Sequence, residues 1–376
     1  MDNNPSPPHA YTPPPVPPPP PIPTYAPPPR RGGRGWMIVA ILLFCALAFS
    51  LLLNLGQFAA NLGPVQGVSR VSGPRLEEVV LEDNRAAAKI AVIDINGMIT
   101  SSAADPAGFT MVDVIKAQFD LAREDRRVQA VILRVDSPGG EVLASDEIYR
   151  IISDFQRESS KPVIASMGNL AASGGYYVAA PCRWIVANEL TITGSIGVIL
   201  QSWNYRGLMD KIGLQPAVYK SGRFKDMLGG YRKPEEIPPE EALMIEELID
   251  ETYERFKEVV REGRAFAAKL NSGNGRTLVN NWTNLADGRI LSGRQAFEAG
   301  FVDELGNFDD AVKRARAIAG ITDEVNLVRY QRRFDLSDVF RIFGRSENKA
   351  IKVDLGIDAP KLEAGRPYFL SPTFVH

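Results

Sequence analysis

Ser173 stands in the run Ala-Ala-Ser-Gly-Gly-Tyr-Tyr (171–177), where small neighbours leave a hydroxyl accessible to a carbonyl carbon. A serine becomes a nucleophile only when a base takes its proton. The chain has two histidines, His9 in a proline tract and His376 at the last position. Neither lies in a segment able to hold an imidazole between a hydroxyl and a carboxylate, so the Ser-His-Asp arrangement is excluded. Lysine is the next candidate, and Lys220 and Lys225 occur together in Tyr-Lys-Ser-Gly-Arg-Phe-Lys-Asp (219–226). A lysine base must be neutral, which needs its pKa to fall from ~10.4 toward ~7–8 in a dry site away from carboxylates. That is roughly 3 units, or about 4 kcal/mol. Asp226 directly follows Lys225 and equally allows an ordinary surface ion pair. Residue types alone do not choose between the two lysines.

Two further segments have suitable chemistry. In Asp-Ser-Pro-Gly-Gly (136–140) the glycines Gly139 and Gly140 let backbone amides approach a ligand closely, as an oxyanion requires, and a plain strand-to-helix turn has the same residues. The amide of Gly174 is placed to donate to the oxygen of a carbonyl attacked by Ser173, although Ser173 also fits a helix N-cap. Thr-Gly-Ser-Ile-Gly (193–197) supplies Ser195, which either holds a lysine amine or caps a turn.

The elements that must position these residues read as alternating strands and helices. Residues 90–95, 130–135 and 162–166 are short β-branched runs. Residues 112–125 and 142–156 show helical spacing between them. Pro216-Ala-Val-Tyr219 reads as a further strand. Pro238-Pro-Glu-Glu241 opens a long amphipathic helix to about Lys269, with proline and acids where a helix start favours them. This alternation predicts an α/β fold with a mainly parallel, layered sheet.

Upstream, residues 1–29 hold 15 of the 28 prolines and form an extended tail, expected as a solvated tether. Arg30, Arg31 and Arg34 lead into Trp36–Leu55, uncharged and long enough at ~1.5 Å per residue to span a ~30 Å bilayer core. The basic flank predicts a cytoplasmic N-terminus and an extracytoplasmic remainder. A cleaved signal peptide fits less well, because cuts after Ala59 or Ala60 set Gln57 or Phe58 where a small residue belongs. The expected organisation is a tail over 1–29, a basic flank and anchor over 30–58, a linker over 59–88, a catalytic unit over 89–320 and an extension over 321–376. In that extension Pro367-Tyr-Phe-Leu-Ser-Pro372 is apolar enough to cover a subunit edge or occupy a groove, and simple packing is the expectation. A formal charge of −2 provides no basic field for nucleic acid. Cys45 and Cys182 predict no disulfide, and Cys182 reads as a small buried side chain. No metal cluster and no phosphate-binding glycine-lysine loop occurs in the sequence, so no cofactor is expected.

Taken together, 136–140, 171–177, 190–198, 220–226 and Ala-Asp-Gly-Arg-Ile-Leu-Ser-Gly-Arg-Gln-Ala (286–296) resemble the signal peptide peptidase A family in its short, single-unit form. These are serine-lysine peptidases distantly related to the Clp protease and crotonase folds. The resemblance implies Ser173 as nucleophile, Lys225 rather than Lys220 as general base, Ser195 supporting the lysine, and amides of Gly139, Gly140 and Gly174 as oxyanion donors. It implies remnant signal peptides and other apolar peptides as substrates. It also implies a membrane-held homo-oligomeric ring in which serine and lysine of one site come from neighbouring protomers. Three rivals differ in function. One is a related membrane protease acting in protein quality control; the others are a non-proteolytic acyl-CoA-binding module and a scaffold recruiting partners through the proline tail.

Overall fold

A computed structural model describes residues 34–61, 73–103, 108–332 and 367–370. The expected proline tail, Arg30 and Arg31, residues 62–72 of the linker and most of the C-terminal extension lie outside the described residues, as do His9 and His376. The chain divides into two compact units, residues 1–67 and 68–376. In the first, α1 (Arg34–Asn61) contains a 19-residue stretch, Met37–Leu55, of mean hydropathy 2.7, long and apolar enough to cross a membrane.

The second unit is built on a twisted sheet whose path runs β1 (Leu76–Glu82), β10 (Asn326–Arg332), β2 (Lys89–Asn96), β3 (Val128–Ser137), β5 (Val163–Ala172), β6 (Trp184–Ala187) and β9 (Glu304–Leu305). From β10 to β9 every pairing is parallel, while β1 joins β10 antiparallel. Central strands are apolar at consecutive positions, over 90–93 and 130–133, because both of their faces are covered. Ile93, Leu133 and Ala165 share one cluster with α2 (Met111–Glu124), α3 (Val142–Ser159) and α6 (Pro239–Leu270). Ile90, Ile132, Ile164 and Val186 face the other way, onto Ala311 and Ala315 of α8 (Phe308–Ala319). The fold is therefore α/β, helices on both faces of a mostly parallel sheet, as the sequence pattern predicts.

Two departures shape the site. First, β5 forks: residues 164–167 pair with β6, whereas Leu170–Ala172 pair with β7 (Ile192–Gly194), which is itself antiparallel to β8 (Ile290–Ser292). Second, Pro216–Tyr219 is not a strand. Tyr219 is 96% exposed and Val218 is also exposed, and the segment finds no neighbouring strand among the described residues to pair with. The sheet also extends beyond residues 89–320, since β1 and β10 form its edge. The remaining elements are β4 (Gly139–Glu141), α4 (Gly174–Ala179), α5 (Arg206–Lys211), α7 (Gly293–Glu298) and β11 (Tyr368–Leu370).

Candidate active site

Ser173 lies at the end of β5, beyond the fork, where the backbone must turn sharply into α4. Its φ of 54° and ψ of −118° place a non-glycine residue in a left-handed, sparsely populated region. The turn is held by the Ser173 amide donating to the Gly194 carbonyl at 2.8 Å and by the Ser173 carbonyl accepting from Tyr177. Ser173 occupies the N-cap position of α4 without capping it, because its side chain makes no cap hydrogen bond. The residue is fully buried and its Oγ has no hydrogen-bond partner. A buried hydroxyl left unpaired costs about 1–3 kcal/mol, which the fold sustains alongside the backbone strain.

Glycines crowd this hydroxyl for steric reasons. A side chain at Gly174 would meet Ser145 Oγ at 2.7 Å and the Gly140 amide nitrogen at 3.1 Å, so the start of α4 packs directly on the 139–140 turn. Gly139 has φ +103° and its amide donates to Ser137 Oγ at 3.1 Å. That internal bond leaves Gly140 and Gly174 as the better oxyanion donors of the three expected glycines. A side chain at Gly139 would lie 2.0 Å from the Phe369 carbonyl oxygen and 2.7 Å from the Gly174 amide nitrogen. A peptide carbonyl of the chain itself therefore stands beside the amides. It belongs to β11, antiparallel to β4 with Phe369 opposite Gly140, and flanked on its other side by a bridge from Tyr368 to Ile199. The Phe369 ring is fully buried, stacked on Tyr177 at 4.9 Å and tilted against Phe256 at 4.7 Å. Residues 367–370 thus occupy a groove bounded by the glycine turn, where simple packing was the expectation.

Ser195 is buried at the end of β7, the strand paired with the end of β5 that carries Ser173, with φ 50° and its amide donating to the Arg289 carbonyl at 2.7 Å. The turn supplying that carbonyl is clamped by Asp287, whose carboxyl is pulled down to about 2 by the Arg289 guanidinium.

The two lysines part company in the structure. Lys220 donates to Asp226 at 2.6 Å and to the Arg223 carbonyl at 3.1 Å. Lys225 is exposed, and its amine has neither a hydrogen bond nor an ion pair among the described residues. Within one chain it does not reach Ser173, whose hydroxyl is unpartnered. Nearby, burial pushes the Tyr177 phenol and the Cys182 thiol up, so both stay neutral, and Cys45 and Cys182 are free. Sequence reasoning missed the pairing of β11 with β4 and the Lys220–Asp226 pair; both depend on which segments the fold brings together.

A family model described as Peptidase family S49 matches residues 155–322. A putative protease of Synechocystis sp. is 40% identical over 240 residues, covering 64% of this chain and 78% of its own length. A putative signal peptide peptidase SppA of Enterococcus faecium is 33% identical over 299 residues, covering 77% of this chain and 82% of its own. Protease 4 of Haemophilus influenzae is 35% identical over 243 residues, which is 63% of this chain and 36% of that longer protein. Among solved structures, a membrane-bound stomatin-specific protease matches 66% of this chain and all of its own, at 16% identity and a TM-score of 0.38.

Proposed function

This chain belongs to the SppA family of S49 peptidases and is a serine peptidase, and we propose that Ser173 is its nucleophile and Lys225 its general base. The observation that carries this reading is the buried, unpartnered Ser173 hydroxyl, set on a strained elbow beside the Gly174 and Gly140 amides. Nothing in the fold needs a hydroxyl there. An incoming base does.

In the proposed reaction neutral Lys225 takes the Ser173 proton as Oγ attacks a peptide carbonyl, then returns it to the departing amine. The Gly140 and Gly174 amides stabilise the tetrahedral oxyanion, a contribution typically worth about 10²–10³ in rate per donor. A water activated by the same lysine hydrolyses the acyl-enzyme. Ser195 supports the lysine amine once it is docked. Substrates lie antiparallel on β4 as β11 does, displacing it, with an apolar side chain in the pocket of Tyr177 and Phe256.

The exposed amine of Lys225 and the orphaned hydroxyl of Ser173 in one chain support a site completed by a neighbouring copy. Exposed apolar residues of the segment leading to Lys225, Trp203, Leu208, Ile212 and Leu214 among them, support the same reading, as do Leu243 and Leu248 at the start of α6. The copies form a homo-oligomeric ring. Met37–Leu55 anchors each chain by one membrane pass, with the N-terminus cytoplasmic and the catalytic unit outside, close to remnant signal peptides released into the bilayer.

Mixing two inactive variants tests this. Ser173→Ala and Lys225→Ala, each alone in detergent, should hydrolyse an apolar signal-peptide-like substrate at background rate, and co-refolded together they should recover part of the wild-type rate. No recovery would exclude the shared site. Wild-type activity in both single variants would exclude the dyad, and no hydrolysis by the wild type would favour a binding module or scaffold.

A further inference from the structure

We propose that Lys220 is a positioning residue for the base: by taking up the Asp226 carboxylate it keeps the neighbouring Lys225 amine free of a partner. This rests on the assignment of Lys225 as the base. A lysine followed by an aspartate would otherwise be held protonated, because a carboxylate within ~4–6 Å favours the charged form by about 1–3 units. Here the Asp226 side chain is only 8% exposed, and its Oδ1 is engaged by Lys220 at 2.6 Å with Arg232 at 3.7 Å. The hydrogen bond from Lys220, more than the charge of Arg232, holds the Asp226 carboxyl below the usual carboxylate range.

Two arginines of the loop are paired in the same way. Arg232 is committed to the buried Glu241 of α6 at 2.5 Å, and Glu241 also accepts the Leu228 amide at 2.9 Å. Arg223 pairs with Glu240 at 3.0 Å. Burial opposes ionisation of Glu241, yet the Arg232 and Leu228 hydrogen bonds win and hold its carboxyl low. Tyr231 faces Asp226, is pushed up by burial and that carboxylate, and stays neutral. Asp226 of the loop and Glu240 and Glu241 of α6 thus each have a cation. Leu228, at φ +62°, is strained where Glu241 clamps it, so this arrangement is imposed by the fold rather than by local preference.

The experiment is kcat/KM against pH for the full-length protein in detergent with a fluorogenic apolar peptide. The variants are Lys220→Met, Lys220→Arg, Lys220→Met/Asp226→Asn and Lys225→Met. A base must be neutral, so activity rises with pH through the lysine pKa, and a freed Asp226 moves that rise to higher pH. Lys220→Met should shift the acid limb up by about 1 pH unit, an approximately tenfold loss below it, with the alkaline plateau retained. Asp226→Asn in the same chain should restore the limb, and Lys220→Arg should leave it in place. An unshifted limb in Lys220→Met, or a loss that Asp226→Asn does not reverse, overturns the inference while an inactive Lys225→Met leaves the dyad standing. A fully active Lys225→Met overturns the dyad itself.

Discussion

At the scale of single residues, the candidate nucleophile is also the place where the chain gives up stability. Ser173 combines a left-handed backbone with a buried hydroxyl that bonds to nothing. Strain of this kind costs about 1–3 kcal/mol. Ser173→Gly removes both defects, so it should be inactive and yet melt higher than wild type by about 2–4 °C per kcal/mol recovered. Calorimetry decides: an unchanged or lower melting temperature would mean the elbow is unstrained. The residue's type and glycine neighbours were legible in the sequence, and so was its place after a strand. Its φ was not, since backbone strain reflects how β5, β7 and α4 meet. Nor could residue order show that Asp226 turns to Lys220, six positions back, instead of its neighbour Lys225.

Among elements, the helices and central strands follow their periodicity closely. The helix expected from Pro238 to about Lys269 is Pro239–Leu270, and the run 90–95 lies within Lys89–Asn96. The pattern failed at Pro216–Tyr219, which reads as a strand but has no partner strand among the described residues. It was also silent on β11, three residues too short to give a periodic signal, which bury Phe369 between Tyr177 and Phe256. Since β11 fills the groove that substrates are proposed to use, the apparent affinity for a peptide is reduced by the fraction of time the strand is in place. Ending the chain at residue 366 should therefore lower KM several-fold with kcat nearly unchanged. If kcat falls and KM does not, β11 belongs to the fold rather than to the competition for the groove.

For the molecule as a whole, the sheet is the least sequence-local feature. The S49 match ends at residue 322, yet β10 inserts between β1 and β2 and pairs with residues 89–92 through 326–329. Ending the chain after Gly320 would leave β1 and β2 as bare edges, which invite pairing between chains. Such a truncate should be insoluble or rapidly proteolysed, whereas one ending at Arg332 should stay folded; equal protease resistance would show that β10 is dispensable. The alternation of strands and helices made the parallel core predictable, but not which late segment closes its edge. That closing strand has a consequence in time. Synthesis at ~5–20 residues per second leaves β2 waiting on the order of tens of seconds for its outer neighbour to be made. Throughout that window the nascent chain carries an open edge, and the elbow, already synthesised, sits on a sheet that is not yet complete.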